Sequence, residues 1–377
     1  MKVQVSPLDT SGPSALLLTL NRLQSSHLCT APISGLTATK VWGQGTVGNE
    51  FTSNNGPNPP SSFSTSVPSN AILDPQGGLY VSDTLNNRML YYPSGAFVAS
   101  RVWGPADFIT IGPITPSATS MAGTSSLSLD VDGTSIFASA GVSRILYFPS
   151  GNLSASTIWG QDTAGSGFTT SLGGTSNFLM GTINSVIKTS DGLYVADKDS
   201  NRILFFPTGS FVATKVWGAP DFITTGSGLP TATTFSPSFG MAVDKMGGLY
   251  VADIGNNRVL FFPAGSTTAT KVWGVDASGT NLTSPGAGTV TSTTLFAPAG
   301  LAVDDAGGLY VADSSNSRVV YFPAGSFTAS MVWGQPDFVS SAFGVSSTNM
   351  HFPRAVTLDS SCRLTVTDSA NNRVLYF

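Results

Sequence analysis

Gly248-Leu249-Tyr250-Val251-Ala252-Asp253 is followed by Asn256-Asn257-Arg258-Val259-Leu260-Phe261-Phe262-Pro263, then by Gly265, Ala269 and Val272-Trp273-Gly274. The chain writes this string again from Gly78 to Gly104, from Gly192 to Gly218 and from Gly308 to Gly334, with a degraded copy from Ser135 to Gly160. Outward from it, arginines recur at 88, 144, 202, 258, 318 and 373, and the six tryptophans at 42, 103, 159, 217, 273 and 333. Every step lies between 55 and 61 residues. That period is too long for a leucine-rich or ankyrin unit and suits a four-stranded propeller blade with a generous loop.

Each repeat holds four strand candidates. In the copy before Trp333 they are an innermost Gly300 to Asp304, then Leu309 to Ala312, Arg318 to Phe322 and an outer Ala329 to Trp333. The two middle strands are apolar at nearly every position, the pattern of strands buried on both faces. In a propeller each blade is sandwiched between two neighbours, so the sequence predicts an all-β, six-bladed propeller of four-stranded antiparallel blades.

The first and last copies are incomplete in complementary ways. The last runs through Asp368, Asn371 and Arg373 to Phe377; the first begins at Pro32, ten residues before Trp42, the spacing that separates Pro323 from Trp333. The N-terminus is therefore expected to supply the outer strand (32–43) of a blade whose inner strands come from about 350–377. Such closure removes exposed sheet edges. The expected organisation is an N-terminal extension, 1–31, and one propeller, 32–377. Cys29 and Cys362 both fall at this seam, on one rim of an up-and-down blade. Either they form a disulfide that staples the ring, or they are two unrelated thiols. The first alternative favours an oxidising compartment.

Charged residues make up 10% of the chain and the net charge is −4. Phosphate binding needs a basic stripe, so nucleic acid is excluded as a partner, and an anionic membrane surface with it. No apolar run approaches a membrane span. The N-terminal run Ala15 to Leu20 is short for a signal peptide.

The run Ala-Val-Asp, a Gly turn, Leu-Tyr-Val-Ala-Asp, Asn-x-Arg-Val and an apolar third strand resembles the NHL repeat, over residues 32 to 377. A WD-type propeller would place Asp after the second aromatic, whereas Gly follows every Trp here. The resemblance implies a ring of six blades, in agreement with the count. It does not imply one function: relatives include a zinc-dependent peptide-amidating lyase, RNA-binding modules, sensor domains and extracellular repeat proteins.

Asp83, Asp197, Asp253, Asp313 and Asp368 each begin an Asp-x-x-Asn-x-Arg run or a close variant, ending at Arg88, Arg202, Arg258, Arg318 and Arg373. Asp and Asn can accept backbone N–H groups in a turn, and the Arg is expected to fork onto the Asp. A ligand site rarely needs five copies, so the motif reads as structural. Blade 2 has Ala140 in place of the Asp and is expected to be the loosest. Asp197-Lys198-Asp199-Ser200-Asn201 begins like a calcium loop but has Arg202 and Thr208 where Gly and a bidentate Glu belong. His27 and His351 are too few for a three-His zinc site. No catalytic residue, metal site or cofactor is expected. Asn152 and Asn281 head glycosylation sequons.

The sequence after each Trp-Gly splits into two classes. Three copies continue compactly, through Pro105-Ala106-Asp107-Phe108, Ala219-Pro220-Asp221-Phe222 and Gln335-Pro336-Asp337-Phe338. The other three use a longer form containing Gly48, Gly165 or Gly279 and then Phe51, Phe168 or Leu282. The forms alternate, so the ring is three copies of a two-blade unit of about 115 residues. Connections of this length are uncommon unless functional or disordered. Phe51, Phe108, Phe168, Phe222 and Phe338 either plug gaps between blades, the preferred reading, or join a binding face. Arg354 is the one charged residue expected at a channel end.

The expectation is a non-enzymatic, extracellular or secreted protein that binds protein or glycan, or assembles with itself, through its long-loop face. Two alternatives stand beside it: a structural subunit of a filament or coat, and a propeller hydrolase or lyase with a channel metal.

Overall fold

In the computed structural model the described residues are 29, 32, 35–54, 60–141, 143–286 and 289–377, with Ser238 and Phe239 described by their backbone alone. The apolar run Ala15 to Leu20 and His27 lie outside them. The strands form six four-stranded antiparallel sheets. Five blades follow the chain: blade 1 (68–103), blade 2 (127–159), blade 3 (183–217), blade 4 (238–273) and blade 5 (298–333). Blade 6 joins 353–376 to the N-terminal strand Lys40–Trp42.

Ring closure is a strand pairing, with Lys40 opposite Tyr376, Val41 opposite Leu375 and Trp42 opposite Val374. The Cys29–Cys362 disulfide adds a covalent clasp across 333 residues of sequence. Cys29 also exchanges backbone contacts with blade 5: Asp305 N donates to its carbonyl at 2.6 Å, and its own N–H donates to Asp305 Oδ2 at 3.0 Å. The clasp thus ties the turns of blades 5 and 6 on the short-turn face. By the chain-entropy model a loop of this length contributes at most about 5–6 kcal/mol.

Each apolar cluster spans two neighbouring blades. One joins Val259 and Trp273 of blade 4 to Leu301, Val311, Val320 and Phe322 of blade 5. Both faces of a middle strand are therefore buried, which is why those strands read as continuous apolar runs. The six tryptophans add a directional link. Each indole Nε1 donates to a backbone carbonyl in the next blade's outer turn: Trp42 to Ala96, Trp103 to Asn152, Trp159 to Ser210, Trp217 to Ser266, Trp273 to Ser326 and Trp333 to Gly35. The last of these crosses the seam.

The outer strands are shorter than the apolar pattern suggests. In blade 5 the strand is Met331–Trp333 rather than one starting at Ala329. Ala329 N donates instead to Ser292 O in the preceding connection, so its N–H leaves the sheet ladder. In blade 2 the inner strand, Leu127–Leu129, has three residues against six in blade 5.

Candidate functional site

Two kinds of loop make up one face of the ring: the turns after the second strands and the connections that carry the chain from each outer strand to the next blade. The turns are built around a buried ion pair. Arg318 Nε donates to Asp313 Oδ2 at 2.7 Å with both side chains fully buried. Asn316 Nδ2 donates to the same oxygen, and Phe296 N donates to Asp313 Oδ1. Asp83–Arg88, Asp197–Arg202, Asp253–Arg258 and Asp368–Arg373 repeat the pair. Burial pushes these carboxyls up from their ordinary range, against the opposing pull of the adjacent guanidinium.

The guanidinium does not fork onto the carboxylate as the sequence suggests. Only Nε reaches it, because the terminal nitrogens are engaged elsewhere. Arg318 Nη1 donates to Phe338 O at 2.8 Å, and Nη2 to Thr291 O and Thr294 O at 2.9 and 3.1 Å. The arginine is therefore a strut that pins the connection entering its blade and the one leaving it. Equivalent bonds run from Arg88 to Phe108 O, Arg202 to Phe222 O, Arg258 to Leu282 O and Arg373 to Phe51 O. Arg144, in the blade without the Asp, holds Phe168 O, Ser117 O and Ser120 O in the same way. Its Nε donates to Ala140 O.

These bonds fix the backbone of Phe51, Phe108, Phe168, Phe222 and Phe338, and the five rings lie half-buried against the blade clusters. What the compact connections present to solvent is the following residue. Ile109, Ile223 and Val339 are 72%, 73% and 69% exposed. The preceding aspartates explain this. Asp107 Oδ1 accepts from Ile109 N and Thr110 N, Asp221 Oδ1 from Ile223 N and Thr224 N, and Asp337 Oδ1 from Val339 N and Ser340 N. Such a turn is tight and ends the inward course of the chain. Hydrogen bonds from Thr110 and Ser340, and the backbone N–H of Ile223, hold the three carboxyls below their ordinary value. Sequence reasoning singled out the phenylalanines and missed these aliphatics. The signal was Asp-Phe followed by a β-branched residue, three times over. The same connections also expose Ile114, Leu229 and Phe343.

The longer connections pack a glycine inward, although Val47 and Leu172 on them are 60% and 51% exposed. Gly48, Gly165 and Gly279 adopt positive φ, and a Cβ on any of them would strike Phe97, Phe211 or Phe327 of the next blade at 2.1–2.3 Å. Those rings pack on Trp42, Trp159 and Trp273, with centroids 5.1–5.4 Å apart. The three-fold order read from the sequence is thus an alternation of packing.

Arg354 lies at the channel mouth on this face, and its Nη1 donates to Ser69 Oγ at 3.3 Å. Burial lowers its pKa. His351 stacks on Phe343 at 4.4 Å, while Asp199 Oδ2 accepts from Thr182 N and Oγ1. Among the described residues no three His, Cys, Asp or Glu side chains gather as a metal set. No helix among them is long and apolar enough to cross a membrane. Asn152 is exposed on an outer turn of the short-turn face, and Asn281 is half-buried on the long-loop face.

The NHL repeat profile matches residues 297–322, the inner three strands of blade 5. No curated protein matches the chain. Among solved structures, a structural genomics protein of unknown function from Bacteroides thetaiotaomicron shares the fold, with a TM-score of 0.58 at 13% identity, over 89% of this chain and 75% of that one.

Proposed function

We propose that this chain, an NHL-repeat six-bladed propeller, is a non-enzymatic extracellular protein that binds a protein partner through its long-loop face. The observation that carries the reading is the set Ile109, Ile223 and Val339. Three strongly exposed aliphatic side chains sit at equivalent places on alternate blades, each on a turn fixed by an Asp cap and an arginine strut. Rigid presentation lowers the ordering cost of association. The low overall charge suits such a contact better than a polyanion. The disulfide supports an oxidising compartment.

The test is affinity capture with the full chain from the medium or matrix of its source, compared with a triple variant, Ile109→Ser, Ile223→Ser and Val339→Ser. Loss of a stoichiometric partner in the triple variant, but not in a Val131→Ser control on the short-turn face, is the expected result. Equal capture by both proteins would overturn the assignment of the face. Thiol titration of protein denatured without reductant should find no free groups; two would remove the support for secretion.

A further inference from the structure

The outer strands differ from one another at their free edges. Where a long connection follows, its glycine caps the edge: Val41 N donates to Gly48 O, Ile158 N to Gly165 O and Val272 N to Gly279 O, at 3.0–3.2 Å. A phenylalanine of the next blade lies against that glycine and packs on the tryptophan, Phe97 on Trp42, Phe211 on Trp159 and Phe327 on Trp273. Among the described residues, the compact connections supply no carbonyl to Val102, Val216 or Val332, which hold the same register in their strands. The phenylalanine sits one residue after the carbonyl that receives the indole N–H. At the compact junctions that place is taken by Leu153, Thr267 and Leu36.

The junction of blades 3 and 4 carries the smallest of these three residues, and it is open. Thr267 is exposed, and Val216 is half-buried whereas Val41, Val102, Ile158, Val272 and Val332 are all buried. A groove of about 490 Å³ lies along the strand edge, lined by Lys215, Val216, Pro220, Phe222, Gly265 and Thr267. Val216 packs toward blade 2 and Trp217 toward blade 4, so a strand added at this edge would alternate in the same way. An uncapped edge N–H and C=O are a template for another strand. We infer that this edge of blade 3 accepts an extended segment of a partner protein, which adds a fifth strand and places a phenylalanine beside Thr267. One residue of the segment gives its carbonyl to the Val216 N–H and its own N–H to the Val216 carbonyl. The next residue turns its aromatic ring into the groove. The occupant is read from the chain itself, which puts a glycine carbonyl and a phenyl ring in these two places at alternate junctions.

The test is amide NMR of the isotope-labelled full chain titrated with the capped peptide Ac-Thr-Val-Phe-Thr-Lys-NH2. The Val216 amide resonance should move downfield and saturate, while that of Val272, already bonded to Gly279, stays in place. Replacing the peptide's Phe with Ala should weaken binding about tenfold or more, the worth of burying a phenyl ring. N-methylation of its Val removes the strand N–H and should abolish binding. Thr267→Phe gives the junction a ring of its own and should also abolish binding, without lowering the unfolding midpoint. The double variant Ile109→Ser with Val339→Ser should bind the peptide as the wild type does, so the flank is tested independently of the long-loop face. No shift at Val216, shifts that persist in Thr267→Phe, or indifference to the peptide's Phe or to its N-methylation would overturn the inference. So would light scattering in which the wild type, but not Thr267→Phe, pairs with itself, since the occupant would then be a second copy.

Discussion

Blades 2 and 5 hold their buried arginines in different company. Arg318 of blade 5 sits against the Asp313 carboxylate, whereas Arg144 of blade 2 has only carbonyls and the Ser120 hydroxyl around it. Burial lowers the Arg144 pKa with no carboxylate to oppose it. Yet both guanidinium groups pin the equivalent connections of their own blades, Arg318 through Thr291, Thr294 and Phe338 and Arg144 through Ser117, Ser120 and Phe168. The strut is the arginine's task. The aspartate balances its charge and in addition takes the N–H of Phe296. The two blades differ at their exits as well: blade 5 leaves through the outward Asp337-Phe338-Val339 turn, blade 2 through Gly165, tucked beneath Phe211.

The largest effects should come from removing the struts. Arg318→Ala leaves a buried carboxylate unpaired and should cost about 4–5 kcal/mol. Arg144→Ala strands only neutral carbonyls and should cost about 2–3 kcal/mol. Urea midpoints at constant m-value measure both. Equal losses would mean that the carboxylate is irrelevant to the difference between the blades.

Asp313→Ala makes blade 5 resemble blade 2. It should cost about 2 kcal/mol, less than Arg318→Ala, since the arginine keeps its carbonyl partners. A loss as large as that of the arginine variant would show that the aspartate, not the arginine, organises the turn.

The blade count and the seam were open to sequence reasoning because each is written in residue identity at fixed spacing. Trp333 and Pro323 predict where Pro32 and Trp42 belong; the seam puts Cys29 and Cys362 on one rim, but only the structure decides between a disulfide and two thiols. The strut was not open to it. Arg318 binds carbonyls of Thr291, Thr294 and Phe338, and a carbonyl leaves no mark on the sequence. The same blindness made Ala329 look like a strand residue, when its N–H goes to Ser292 O. At the candidate face, aromatic character drew attention to Phe338, while the exposure of Val339 depends on an Asp-capped turn outside any strand or helix period. The contact of Arg354 with Ser69 escaped because the two are 285 positions apart and meet only through closure of the ring.

The exits give smaller effects. Gly165→Ala forces a Cβ into Phe211 at a positive φ and should cost about 1–3 kcal/mol. Gly151→Ala has a similar φ but no atom within 4 Å, so it isolates the backbone term, about 1 kcal/mol. Thermal unfolding of the two variants gives the packing contribution by difference. If they are equal, Phe211 moves aside freely, and the inward course of the long connections is not set by packing.

The blade 5 turn should respond to acid. The Asp337 carboxyl is held below its ordinary value, so the folded turn favours the ionised form. Its contribution is therefore complete above the ordinary aspartate range and is lost as pH falls through the depressed value. Amide exchange at Val339 and Ser340 should accelerate there in the wild type, whereas in Asp337→Asn it should show no such step. An identical acid profile in that variant would detach the turn from its cap.

Val339→Ser should have the smallest effect on stability, within about 0.5 kcal/mol, since an exposed side chain loses little on truncation. That is what makes it informative. Gly165→Ala perturbs a packed exit and should affect folding; Val339→Ser alters a presented one and should affect only association. If the outward turns exist to display their aliphatic residues, Val339→Ser weakens partner capture while the unfolding curve stays in place. A variant that captures as well as the wild type would leave blade 5 with the same purely architectural exit as blade 2, and the alternation around the ring would then be a matter of packing alone.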